Sequence, residues 1–307
     1  MINPVKLSVC MITYNQEKYV KQAIESVFQQ KTNFQIELVI GDDASKDRTA
    51  AIISSLTAPA SVTMKPLLRQ SNLGMLQNFT QTLEQCIGEY IALLEGDDYW
   101  IDINKLQRQV DFLDENPDFS ICYHPVKIDN GSHELAPDNN RPRGDVSDIY
   151  ELAHGNFMHT CSVVYRSGLF EKFPDSFYRS TVGDYFLHML NARHGKIRRL
   201  SESMGVYRVH PGGVWSMQPN MDQKILTYLE AMVDSFEPDI ATILKKRHQT
   251  IAAKSLLQNI DKPDFDARIR RSIQFGSEEL QKAFLELSHR AKSGKFVNYL
   301  RKVKKYF

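Results

Sequence analysis

Three short clusters carry side chains suited to chemistry: Thr13-Tyr14-Asn15, Asp42-Asp43 and Glu95-Gly96-Asp97-Asp98. Each follows a short apolar run, LSVCMI, IELVI and YIALL in turn. In open α/β sheets ligands bind outside the carboxyl ends of the strands, so the three clusters are expected to meet on one sheet edge. Carboxylates gathered there repel one another unless a cation neutralises them, and hard oxygen ligands of this kind favour Mg²⁺ or Mn²⁺. A divalent ion held by carboxylates commonly carries a diphosphate, which points to a nucleotide substrate. Neither GxGxxG after the first run nor GxxxxGK[ST] occurs, which argues against a dinucleotide enzyme and a P-loop NTPase. Phosphate is therefore expected to bind through metal.

The elements that must position these clusters alternate. Leu7-Ile12 reads as a strand, followed by Val20, Ala23, Ile24 and Val27 at helical spacing. Ile36-Ile40 is a second strand, and DDASKDRT after it suits a helix N-terminus. A third strand at Val62-Leu68 precedes a helix from about Met75 to Cys86, and a fourth at Tyr90-Leu94 precedes one from about Ile103 to Asn116. The order βαβαβαβα predicts an α/β fold whose mostly parallel sheet is covered by helices on both faces. Between Ser120 and His210 the pattern is mixed: strand-like ICYHPV, CSVVY and VYRV, a polar loop around 129–148, and a helix beginning near Asp184. Beyond Pro219 only helical periodicity continues, so residues 1–218 are expected to form one domain and 219–307 a helical region.

Composition narrows the class. With 42% hydrophobic and 24% charged residues in 307, the chain is globular rather than disordered or disulfide-scaffolded. No apolar run approaches the roughly 20 residues of a membrane span, and the N-terminus lacks a signal-peptide pattern, which predicts a cytosolic protein. Cys10, Cys86, Cys122 and Cys161 stand singly in apolar segments and read as buried, reduced thiols. Residues 287–307 hold seven Lys/Arg and no Asp/Glu, leaving 31 basic and 37 acidic side chains elsewhere. An acidic body argues against nucleic acid as the principal ligand, and a basic tail suggests an anionic surface as its partner.

The ordered set SVCMITYNQEKYVKQAIESVFQQ, ELVIGDDASKDRT, NLG, ALLEGDDYW with KLQRQVDFL, GDYFL and YRVHPGG resembles the family 2 inverting glycosyltransferases of GT-A fold, over residues 6 to about 215. The resemblance implies that Thr13, Tyr14 and Asn15 line the base and ribose of a nucleotide-sugar donor and that Asp42 or Asp43 accepts hydrogen bonds from the base. The competing reading of Asp42, Asp43 and Asp47 is that they cap the next helix. Asn72 in the NLG turn belongs either to the donor pocket or to a turn with positive φ. The EGDD run corresponds to the family's DxD motif: Asp97 and Asp98 would ligate Mn²⁺ or Mg²⁺, with Glu95 where Asp is usual. Trp100 would stack on a sugar face or fill the core. His210 resembles a late histidine that closes over the metal or diphosphate. The family's ED pair reads Gly183-Asp184 here, and Asp184 would be the base that deprotonates the acceptor hydroxyl, or the cap of its helix. His159-Thr160 borders the expected acceptor side.

What the resemblance implies is transfer of one sugar, from a UDP-sugar by family habit, to a glycan or lipid-linked glycan in building a surface polysaccharide such as lipopolysaccharide or capsule. Processive members carry QxxRW, which is absent. The departures at Glu95 and Gly183 leave a second reading, a glycosyltransferase-like subunit that binds without catalysing transfer. In the tail, Phe296, Tyr299, Leu300, Val303 and Phe307 recur at helical spacing among lysines and arginines. That pattern fits a helix lying peripherally on an anionic membrane, or a stripe packing on the body or on a second copy of the chain.

Overall fold

The computed structural model describes residues 5–138, 144–213, 220–258, 267–268, 270–271 and 274–276. The basic tail, residues 287–307, lies outside them. By compactness the chain divides into two units: Met1–Phe173 with Val182–Gln218, and Pro174–Thr181 with Pro219–Phe307.

The first unit is the expected α/β body. Its elements run β1 (Leu7–Thr13), α1 (Val20–Phe28), β2 (Ile36–Asp42), α2 (Thr49–Ser55), β3 (Val62–Leu68), α3 (Met75–Leu83), β4 (Tyr90–Glu95), β5 (Tyr99–Trp100), α4 (Lys105–Glu115), β6 (Phe119–Tyr123), β7 (Val126–Asp129), β8 (Ala136–Pro137), β9 (Val146–Ser147), α5 (Ile149–His154), β10 (Val164–Arg166), α6 (Asp184–Ala192), β11 (Lys196–Arg199) and β12 (Gly205–Arg208). Eight strands form the main sheet in the order β3-β2-β1-β4-β10-β6-β11-β9. The pairs β3–β2, β2–β1, β1–β4 and β6–β11 are parallel, while β10 runs antiparallel between β4 and β6. This is the mixed, mostly parallel sheet that the resemblance implies.

Strands β1, β2 and β4 are buried almost along their whole length, as central parallel strands covered on both faces must be. Pro66 lies in β3, which is tolerable because β3 is an edge strand and a missing ladder donor there can face outward. The α1 residues Val20, Ala23, Ile24 and Val27 are fully buried, the single apolar stripe their spacing predicts. Register does the rest: Thr13 pairs with Asp42, and Ile12 with Glu95, so the carboxyl ends of β1, β2 and β4 finish side by side.

A second sheet, β5-β12-β7-β8, takes up part of the expected polar loop. Strand β12 pairs antiparallel with β5 (Gly205 opposite Trp100, Val206 opposite Tyr99), which carries the residues after β12 back to the Glu95–Asp98 loop.

The described part of the second unit is helical, with α7 (Met221–Val233) and α8 (Pro238–Gln258). Glu230 of α7 joins them: His248 Nε2 lies 2.9 Å from its Oε1, and Arg271 donates to both oxygens at 2.6 and 2.9 Å. Residues 174–181 belong here: Arg179 pairs with Asp234 at 2.9 Å and Thr181 donates to the Lys224 carbonyl at 2.7 Å. No helix among the described residues is long and apolar enough to cross a membrane.

Candidate active site

The loop after β4 is the centre of the site. Ligand atoms of Glu95, Asp97 and Asp98 lie within 4.8 Å of one another, close enough to share one cation. Asp98 is 1% exposed; its Oδ1 accepts the Arg208 backbone N–H at 2.8 Å, its Oδ2 has no N–H or O–H donor, and the neighbouring Cys161 thiol is at most a weak donor to the carboxylate. A buried carboxylate oxygen without a partner is costly, and a metal ion resolves that cost. Burial, reinforced by Asp97, Asp98 and Asp184, pushes the Glu95 carboxyl well above its ordinary range. Burial and Asp97 push Asp98 up in the same way, against the hydrogen bond from Arg208. The donor set of three carboxylates therefore fits a hard divalent cation. Gly96 is required by close packing, since a Cβ there would meet Thr13 Oγ1 at 2.5 Å.

His210 reaches this loop. Its Nε2 stands 2.9 Å from Asp97 Oδ2 and its Nδ1 accepts the Gly212 N–H at 3.2 Å, which assigns the ring proton to Nε2 and makes Asp97 the acceptor. Tyr19 tilts against the imidazole, centroids 4.8 Å apart.

Asp184 opens α6, but the N-cap position is Gly183 and the aspartate makes no cap hydrogen bond. Its Oδ2 instead accepts the Thr160 hydroxyl at 3.1 Å, and its charge is felt at Glu95. The glycine at 183 has a packing reason: a Cβ would come within 3.2 Å of Phe79 and 3.4 Å of Leu76 on α3. Next to Thr160, His159 Nε2 lies 3.3 Å from Asp138 Oδ2, and its ring packs on Tyr207.

The β1 and β2 ends carry the remaining expected residues. Tyr14, one residue past the end of β1, is 40% exposed, whereas Thr13 is buried with Oγ1 unpartnered. Asn15 takes a left-handed φ of 55° and braces the loop after β2: Lys46 N–H donates to its Oδ1 at 2.8 Å, and its own N–H donates to Ser45 Oγ. Both Asp42 and Asp43 are buried and bonded locally. Asp42 accepts from the Ser45 hydroxyl and, at 3.2 Å, from its N–H; Asp43 accepts from Leu73 and Gly74 N–H at 2.7 and 3.0 Å. Neither caps α2, whose N-cap position is Arg48; Asp47, one residue before it, accepts from the Thr49 N–H and hydroxyl at 3.0 and 2.6 Å. Asn72 Nδ2 donates to the Asp43 carbonyl, and Gly74 rather than Asn72 supplies the turn's positive φ.

One expected ligand is corrected. Trp100 is 4% exposed, donates from Nε1 to the Cys161 carbonyl at 2.7 Å and has Lys105 Nζ 4.1 Å from its ring centroid. It is a core residue and offers no face for a sugar: the indole is buried, while Tyr99 beside it is half-buried.

Two arginines at the site escaped the sequence reading. Arg69, just past β3, donates its backbone N–H to the Asp42 carbonyl at 3.0 Å and its Nε to Asn78 Oδ1 at 3.3 Å, with Nη2 unpartnered. Arg208 donates its backbone N–H to Asp98 and its side chain to the Asp97 carbonyl. The signal for Arg208 was available, because it stands two residues before His210 in the same YRVHPGG run.

Known proteins agree with this architecture. The uncharacterized protein Rv1520 of Mycobacterium tuberculosis is 40% identical over 211 residues, which cover 68% of this chain and 60% of that protein. The chain thus aligns to less than two thirds of that relative's length. Staphylococcus aureus TarS 1-349, solved with UDP-GlcNAc, superimposes with a TM-score of 0.70 at 19% identity over 98% of this chain and 91% of its own. The mannosyltransferase PcManGT of Pyrobaculum calidifontis, solved with GDP-Man and Mn²⁺, gives 0.59 at 14% identity over 99% and 87%. At those identities the two structures attest a shared fold. The family model for glycosyl transferase family 2 matches residues 8–173, more than half the sequence, and with the α/β body and acidic loop described above it places this chain in that family.

Proposed function

We propose that the protein is a metal-dependent, inverting glycosyltransferase that moves one sugar from a nucleoside diphosphate sugar to an acceptor hydroxyl. The observation that carries this reading is the convergence of the Glu95, Asp97 and Asp98 carboxylates, Asp98 being buried with one oxygen that lacks an N–H or O–H donor, and with Asp184 in electrostatic reach. Glu95, Asp97 and Asp98 would hold Mn²⁺ or Mg²⁺. When bound, such an ion offsets the negative charge that develops on a leaving diphosphate. His210 orients Asp97 through its Nε2–H. Asp184 takes the proton of the acceptor hydroxyl as it attacks opposite the departing nucleotide; Thr160 holds one carboxylate oxygen and thereby directs the other toward the acceptor. Tyr14 supplies a stacking face for the base, and Arg69, with a donor to spare beside Asp42, complements a base carbonyl. UDP is the favoured nucleotide, since TarS, of the same fold, was solved with UDP-GlcNAc. The acceptor is a glycan or lipid-linked glycan of a surface polysaccharide.

Thermal unfolding across a panel of nucleotide sugars, with Mn²⁺ or with EDTA, tests this. A ligand at 100 times its Kd adds about 2.7 kcal/mol, so a UDP-sugar is expected to raise Tm with Mn²⁺ and not with EDTA, and Asp98→Ala to abolish the difference. Absence of any metal-dependent shift in the wild-type protein would sink the reading. A shift without donor hydrolysis or transfer would favour a binding subunit instead.

A further inference from the structure

We propose that Arg208 is the positioning residue of the acidic loop, setting the spacing of Asp97 and Asp98 without touching the substrate. The inference rests on the metal-binding reading of that loop. Antiparallel pairing of β12 with β5 puts Gly205 opposite Trp100 and Val206 opposite Tyr99, and β12 runs on to Arg208, whose N–H meets the turn that holds Asp97 and Asp98. There one residue grips both neighbours. Its N–H donates to Asp98 Oδ1 at 2.8 Å, and its Nη1 donates to the Asp97 carbonyl. The rest of the guanidinium is anchored elsewhere, Nε to Asp129 Oδ2 at 3.2 Å on β7 and Nη2 to Gln22 Oε1 at 2.8 Å on α1.

Rings of Tyr19 and Tyr99 lie 4.6 and 4.8 Å from its Cζ, and the side chain is only 9% exposed. Every guanidinium nitrogen thus already donates inside the protein, while aromatic rings pack around the planar group. A residue so committed is a strut between two sheets and a helix rather than a hand for diphosphate. Its geometry is specific to arginine, because a lysine ammonium cannot span Asp97, Asp129 and Gln22 from one nitrogen. Partners that orient metal ligands typically cost 10- to 100-fold in metal affinity when altered.

The test uses the full chain: Mn²⁺ binding followed by the electron paramagnetic resonance of free Mn²⁺, UDP affinity in EDTA, and donor hydrolysis at varied Mn²⁺. Arg208→Lys is expected to raise the Mn²⁺ dissociation constant about tenfold or more, leave UDP affinity in EDTA within about twofold, and leave kcat at saturating Mn²⁺ within about threefold. Gln22→Ala, which removes one exposed anchor, is expected to shift the Mn²⁺ constant in the same direction by about twofold or more, and it decides the matter if Arg208→Lys does not fold. An unchanged Mn²⁺ constant with kcat lowered at saturation would show Arg208 acting on the substrate and overturn the inference, as would an unchanged constant in Gln22→Ala. Wild-type protein that binds no Mn²⁺ would overturn the functional reading as well; wild-type binding with unaltered variants overturns this inference alone.

Discussion

Among the described residues Asp184 accepts from one hydroxyl and makes no ion pair, the arrangement that the proposed base requires. Asp184→Asn is therefore expected to retain nucleotide-sugar affinity by calorimetry while transfer falls by about 10²- to 10⁴-fold, the usual contribution of a positioned base. Equal losses of affinity and rate would instead make it a donor-site or folding residue. At this scale the sequence was legible where acidic residues followed strands, because the register of β1, β2 and β4 turns adjacency in pattern into adjacency in space. It was not legible at Trp100, since a two-residue strand offers no alternation from which to read the inward face. Nor does residue type distinguish Asp43, which ties down the turn at Leu73 and Gly74, from Asp98, which keeps an oxygen without an N–H or O–H donor: the difference lies in backbone donors far away in sequence.

Among the elements, α6 shows how the site sets conditions on stability. His188, one turn beyond Asp184, is fully buried with both ring nitrogens lacking hydrogen bonds, and burial lowers its pKa to about 4 despite the pull of Asp184. An unfolded histidine titrates near 6.5, so this residue's contribution is complete above that pH. As pH falls from about 6.5 toward 4 the unfolded chain takes a proton that the folded chain refuses, and the contribution is lost, about 2 kcal/mol by pH 5. Urea unfolding at pH 7.5 and pH 5 is expected to show a smaller loss for His188→Leu than for the wild type; equal losses would mean that His188 is not held neutral. The strands most easily read were β1, β2 and β4, whose burial on both faces demands continuous apolar runs. Strand β11 (KIRR) escaped because Ile197 is its one fully buried side chain, the others being exposed or half-buried. The short strands β8 and β9 escaped because two residues of backbone pairing leave no hydrophobic period.

For the whole molecule, charge and connectivity matter most. Seven Lys/Arg in residues 287–307 against an acidic remainder predict electrostatic docking on an anionic bilayer, at about 1 kcal/mol per basic residue near the surface and less with salt. Full-length protein is expected to sediment with anionic liposomes at low salt and the chain lacking 287–307 to stay in the supernatant. Equal sedimentation with neutral liposomes would exclude the electrostatic anchor and favour packing of the tail on the body or on a second copy. Connectivity constrains how such a protein can be recombined. The chain enters the second unit twice, at 174–181 and again after 218, and the first visit is secured by Asp234 and Lys224 from the second. A single crossover near 218 would graft foreign helices onto a resident 174–181 that lacks its partners. The eight-residue segment and the helices are thus a unit of inheritance: chimeras exchanging both should express as soluble protein, and those exchanging the C-terminal part alone should be recovered in the insoluble fraction.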